Sequence, residues 1–163
     1  MKADEPRYDD EGDVPLGGYA ALATTFAAGA ALFAVAARHR GLRLPDSIPA
    51  WDVALLGTAT FKASRLLSKD KITSFLRAPF THRESDGTAG EVMDEPRGSG
   101  ARRAVGDLVA CPFCTSAWVA GALTAGYASA PRATRLVSAG LTANTMADWL
   151  QYAWSWTERT AEG

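Results

Sequence analysis

Two long apolar runs without a single charge decide what this chain can become. The first covers residues 16–37 and stops at Arg38-His39-Arg40; the second covers residues 108–130 and stops at Pro131-Arg132. Each exceeds the about 18 apolar residues that a helix needs to cross the hydrocarbon core of a bilayer. The competing reading is an Ala-rich helix buried in a soluble bundle, because Ala and Gly add little to insertion energy. A mean hydropathy of −0.07 and a hydrophobic share of 47% look soluble. Those averages hide segregation, since most acids gather in residues 1–13 and 81–103.

Two further spans are expected at residues 51–67 and 136–156, and both carry polar groups. Asp52, Lys62 and Arg65 lie in the former, so its basic side chains must snorkel towards one interface. Asn144, Asp148 and Gln151 recur at i, i+4 and i+7 in the latter, on one helix face. Its end gathers Trp149, Tyr152, Trp154 and Trp156, as expected where a span meets the headgroups. An unpaired charge in the membrane costs roughly 3 kcal/mol on insertion scales. An Arg65–Asp148 contact is therefore expected, with Asn144 or Lys62 adding hydrogen bonds. Small residues recur at helical spacing in Ala21, Thr25 and Gly29, and again in Ala117, Gly121 and Ala125. In a bilayer such faces allow close helix contact.

Between spans two and three, Ile72, Phe75 and Leu76 share one helical face, while Lys71, Ser74 and Arg77 lie away from it. That pattern reads as a short amphipathic helix on the membrane surface, or as one packed on the bundle end. Residues 81–104 have no periodicity and read as a flexible loop. Residues 1–14 read as a disordered acidic tail, unlike the basic start of a secretory signal. The expected architecture is all-α: a four-helix transmembrane bundle over residues 15–157, with a C-terminal tail at 158–163.

Basic residues vote on orientation. Lys62, Arg65, Lys69, Lys71, Arg77, Arg83, Arg97, Arg102 and Arg103 lie on the central-loop side, joined by Lys2, Arg7 and Arg159 from the termini. Arg38, Arg40, Arg43, Arg132 and Arg135 lie opposite. Twelve against five place the central loop and both termini in the cytoplasm of a multi-pass cell-membrane protein. Arg38, Arg40 and Arg43 follow the first span directly, and this local bias points the other way.

Chemistry concentrates in Cys111-Pro112-Phe113-Cys114. Two thiols at this spacing can form a disulfide, and Pro112 suits the first position of a helix. A cysteine at that helix end would feel the positive terminus, which favours thiolate. Thioredoxin-type enzymes place the turn after a strand in a βαβ unit, whereas here it precedes an apolar helix. Cys111 and Cys114 are also the candidates for metal ligation. A closed zinc site takes four ligands, and the others would have to come from His39, His82 or a second copy. The plain alternative is that both cysteines pack at the helix start. No phosphate-cradling Gly loop, His-Glu-x-x-His helix, nucleophile elbow or catalytic carboxylate pair is present, so no cofactor is expected. A net charge of −1 gives no electrostatic case for nucleic acid.

Three stretches in order resemble the bacterial family called domain of unknown function 1360. They are Phe61-Lys62-Ala63-Ser64-Arg65-Leu66-Leu67 running into Asp70-Lys71-Ile72-Thr73 and Leu76-Arg77-Ala78-Pro79-Phe80; Cys111-Pro112-Phe113-Cys114 with Trp118; and Ala147-Asp148-Trp149. The resemblance covers roughly residues 51–156 and implies a small membrane protein of spore-forming firmicutes and actinobacteria, with no assigned activity. It singles out Arg65, Asp70, Arg77, Cys111, Cys114 and Asp148, to which the polar face adds Asn144, as a functional cluster expected to meet at one face of the bundle. The leading expectation is a non-enzymatic membrane protein that works in the lipid bilayer through self-association or another membrane protein. The alternatives are a redox-active or metal-binding membrane thiol protein, and a small transporter or channel subunit.

Overall fold

Pro residues and a glycine cap partition the helices. The computed structural model describes residues 14–42 and 44–161, so most of the acidic tail, Arg43 and the last two residues lie outside it. Helix α1 (Leu16–His39) is built largely from strong helix formers. It ends where Gly41, at φ +64°, lets the Leu42 amide reach back to the Ala37 carbonyl. Pro49 precedes α2 (Ala50–Ser68). After the one-turn α3 (Ser74–Arg77) come strands β1 (Thr81–Asp86) and β2 (Val92–Pro96), then α4 (Gly100–Ala110), α5 (Pro112–Ser129) and α6 (Pro131–Ala161).

The described residues are mostly helical, with one two-stranded antiparallel sheet among them. Three expectations change accordingly. Residues 81–104 form a hairpin and the start of α4 instead of a loop. The apolar run from Leu108 is split, because Pro112 lacks an N–H and pushes Cys111 into extended backbone at φ −105°, ψ 111°. Helices α4 and α5 therefore meet at 83°. Helix α6 also continues through most of the expected C-terminal tail. Among the described residues, α1 is the one helix that by itself is long and apolar enough to cross a bilayer; α4 and α5 meet that test only jointly. Asp52, Lys62 and Arg65 on α2, and Asn144, Asp148 and Gln151 inside α6, keep them below it.

Contacts fix an antiparallel order. The end of α2 meets the start of α5 through the buried Ser68–Thr115 hydroxyl pair at 2.9 Å. At the other end, Asp52 accepts from Tyr127 of α5 at 2.5 Å and from Arg135 of α6 at 2.5 and 3.0 Å. Helix α1 runs alongside α5, with Phe26 edge-on to Trp118 at 5.3 Å and against Gly121. Its first turns rest on α4, where Tyr19 donates to Asp107 at 2.8 Å. The starts of α1 and α5, the end of α2, the hairpin and α4 thus share one end of the bundle.

The hairpin has little apolar surface of its own and is held by Arg77. This side chain is 1% exposed, and its partner Asp94 is 5% exposed. Arg77 Nε donates to Asp94 Oδ2 at 2.7 Å. Its other nitrogens donate to the carbonyls of Leu67 at 2.8 Å and Asp70 at 3.1 Å, and to Thr73 Oγ1 at 3.0 Å. The sequence pattern set Arg77 on the outer, basic face of a surface helix; burial against Asp94 replaces that reading. The Val92 amide donates to the Lys69 carbonyl at 2.8 Å, stitching β2 to the end of α2. Gly106 of α4 completes the seat, since a Cβ there would fall 2.6 Å from the Phe80 carbonyl oxygen and 2.9 Å from Pro96 Cβ.

Removing one partner of a buried ion pair leaves an uncompensated charge and costs about 3 kcal/mol or more. Arg77→Met and Asp94→Leu should each lower the thermal midpoint of the purified protein and open the hairpin to limited proteolysis. Unchanged melting and cleavage patterns in both would contradict this anchoring role.

Candidate functional site

Helix α2 presents Phe61, Lys62 and Arg65, at i, i+1 and i+4, to a groove shared with α6, which contributes Asp148, Trp149 and Tyr152 at the same spacing together with Thr145, Gln151 and Ser155. Asp70 and the hairpin turn residues Ala89 and Glu91 close one end, and the groove holds about 740 Å³. The turn reaches it because Ala89 and Gly90 adopt φ of +53° and +79°. The Lys71 amide then donates to the Gly90 carbonyl at 3.2 Å.

The charged side chains pair differently from the sequence expectation. Lys62 Nζ donates to Asp148 Oδ2 at 2.5 Å. Arg65 turns to Glu91, with Nε at 3.0 Å and Nη2 at 2.5 Å from the same Oε1, and lies over the Phe61 ring at 5.8 Å. The expected Arg65–Asp148 contact is thus replaced by two pairs. The physical reason is the folded hairpin, which delivers a carboxylate to Arg65 that a loop reading could not place.

The expected single cluster is divided. Arg65, Asp70 and Asp148 line the groove. Asp70 also works in the backbone, accepting from the Ile72 amide at 2.8 Å. Arg77 is taken up by the hairpin anchor, and Asn144 is exposed outside the groove lining. Cys111 and Cys114 stand at the α4–α5 bend as free thiols. Cys111 caps α5, its Sγ accepting from the Cys114 amide at 3.3 Å. Burial opposes ionisation of Cys111, but hydrogen bonds from the Cys114 side chain and from the nearby amides hold its thiol below the ordinary range. Among the described residues no three His, Cys, Asp or Glu side chains gather as a metal site. His82 instead faces Glu95 at 3.3 Å.

Sequence reasoning missed Glu91 and Asp94, which sit in a stretch without helical periodicity. It also missed the Asp52–Tyr127–Arg135 network, whose members are far apart in the chain. Lys62 with Phe61 and Arg65, matched by Asp148 with Trp149 and Tyr152, was a signal available in the spacing.

Residues 55–154 match the family described as Protein of unknown function (DUF1360). The chain belongs to that family. The DUF1360 segment holds the groove, the Arg77 anchor and the cysteine pair, whereas α1 lies outside it. The chain is also 32% identical over 111 residues to the sporulation protein YjcA of Bacillus subtilis (strain 168), covering 61% of this chain and 93% of that protein. No solved structure matches.

A double-mutant cycle with Lys62→Met and Asp148→Leu should give a coupling of about 1 kcal/mol, limited by the partial exposure of Asp148. The cycle of Arg65→Ala with Asp148→Leu should be additive; coupling there would restore the contact first expected. At neutral pH, Cys111 should also alkylate faster than the more exposed Cys114, as read by peptide mapping, because thiolate is the reacting form. Equal or reversed rates would contradict the capping geometry.

Proposed function

We propose that this DUF1360 protein is an integral membrane protein with α1, α2, α5 and α6 as its spans, acting through partners or further copies of itself. The observation that carries this reading is an inverted distribution of polarity. The buried positions are dominated by small or polar side chains: Ala59, Ser64, Ser68, Thr115, Thr134, Ser138 and Thr145. Large apolar side chains such as Leu32, Val35, Trp51, Val53, Leu136, Val137 and Leu150 face outward. Water would penalise so much exposed apolar surface, whereas lipid tails accept it and favour small and hydroxylated residues between helices.

Helix lengths support the same reading. At 1.5 Å per residue, α2 and α5 are each about 28 Å long, near the thickness of the hydrocarbon core. Helix α6 is longer at about 46 Å, so its aromatic end with Glu158 and Arg159 extends towards water. Hairpin and α4 lie at the end rich in Lys and Arg, which favours a cytoplasmic location for them. The name of the Bacillus relative supports a role linked to sporulation.

Extraction of membranes with alkaline carbonate should leave the protein in the pellet, and detergent should release it. A membrane-impermeant thiol reagent should label Cys111 and Cys114 only after cell lysis. Recovery in the soluble fraction would sink the membrane reading, and labelling in intact cells would reverse the orientation.

A thiol role is the second reading, favoured by the free Cys111 Sγ held at the α5 terminus. Under it, Cys111→Ser or Cys114→Ser abolishes function without lowering protein level; under the first reading both variants remain active.

A further inference from the structure

We infer that the α2–α6 groove binds a phospholipid whose headgroup carries both a phosphate and an amine. The inference rests on the membrane reading above and deepens it, giving one face of the bundle a ligand of stated chemistry.

Charge is the first argument. Lys62 and Arg65 face Asp70, Glu91 and Asp148 across the groove, so both signs are present with one acid in excess. A purely anionic headgroup would meet the surplus carboxylate, and a purely cationic ligand would meet two basic side chains. A zwitterion satisfies both. The existing pairs leave capacity for it: Asp148 uses Oδ2 towards Lys62, and Glu91 uses Oε1 for both contacts from Arg65. A phosphate can share the Lys62 and Arg65 donors, while an ammonium reaches the second oxygens of the acids.

The walls are the second argument. Phe61, Trp149 and Tyr152 are 48%, 69% and 53% exposed, although each lines a concave surface. Aromatic faces attract an ammonium group, and their apolar area suits the glycerol and upper acyl chain of a lipid. A volume of about 740 Å³ falls within the usual range of ligand pockets.

Depth is the third. The groove lies in the last two turns of α2 and level with the aromatic end of α6, where a span meets headgroups. Helix α1 packs on α4 and α5, leaving this side of α2 and α6 open to lipid.

Native mass spectrometry of the detergent-purified full chain, titrated with phosphatidylethanolamine or with phosphatidylglycerol, tests this directly. One phosphatidylethanolamine should be retained at detergent excess while phosphatidylglycerol is stripped. Arg65→Ala and Asp148→Asn should each lower retention about tenfold, as expected for loss of a charge-assisted hydrogen bond. Trp149→Ala, which removes an exposed side chain and spares the fold, should lower it as well. Equal retention of the two lipids, or unchanged retention in Arg65→Ala and Trp149→Ala, would overturn the inference. A protein that stays in membranes yet shows no headgroup preference would fail here alone, whereas one recovered without detergent would fail the membrane reading first.

Discussion

The Arg77 guanidinium gathers the end of α2, the turn after it and the hairpin around one buried charge. It donates to the Leu67 and Asp70 carbonyls, which the end of a helix and a tight turn leave without backbone partners, and to the Asp94 carboxylate of β2. A planar side chain with five donors suits this task, and a lysine would not reproduce it. Because β2 is held there, the turn before it lies beside α2, and Glu91 can meet Arg65. The groove is therefore built on Arg77 without containing it.

A second constraint comes from what the helices bury. Their mutual contacts use Ala, Gly, Ser and Thr, with the Asp52–Tyr127–Arg135 network closing one end and Ser68–Thr115 near the other. Close approach of backbones and shared hydroxyl hydrogen bonds hold helices together where apolar burial offers no driving force. The same choice turns the large apolar residues outward. It leaves polar chemistry at the two ends of the bundle.

The positions of α1, α2 and α6 were legible in the sequence because their signals are local: uncharged or weakly charged apolar runs, Pro49 and Pro131, and aromatic residues at the end of α6. Helix α4 and the break at Cys111, which falls inside an uncharged run, were not. The groove was half legible. Arg65, Asp70 and Asp148 stood out as charges beside apolar segments, and Lys62 was expected to add hydrogen bonds to Asp148, but Glu91 did not stand out. Glu91 and Asp94 belong to a hairpin whose strands are mostly polar and gain their stability from Arg77 instead of from a patterned apolar face. A two-stranded hairpin is marginal alone, so nothing local announces it. The grouping of Arg77 and the cysteines with Asp148 failed for a related reason. Nearness to one end of the bundle does not place side chains on the same wall.

Hydrogen–deuterium exchange of the chain in lipid nanodiscs tests the central claim most directly, because it reports on every backbone segment at once. Residues 50–68 and 112–129 should resist exchange for hours, as helix amides shielded by lipid do, while residues 87–91 at the hairpin turn exchange early. Exchange of α2 and α5 as fast as the turn, or failure of the chain to enter nanodiscs, would contradict it.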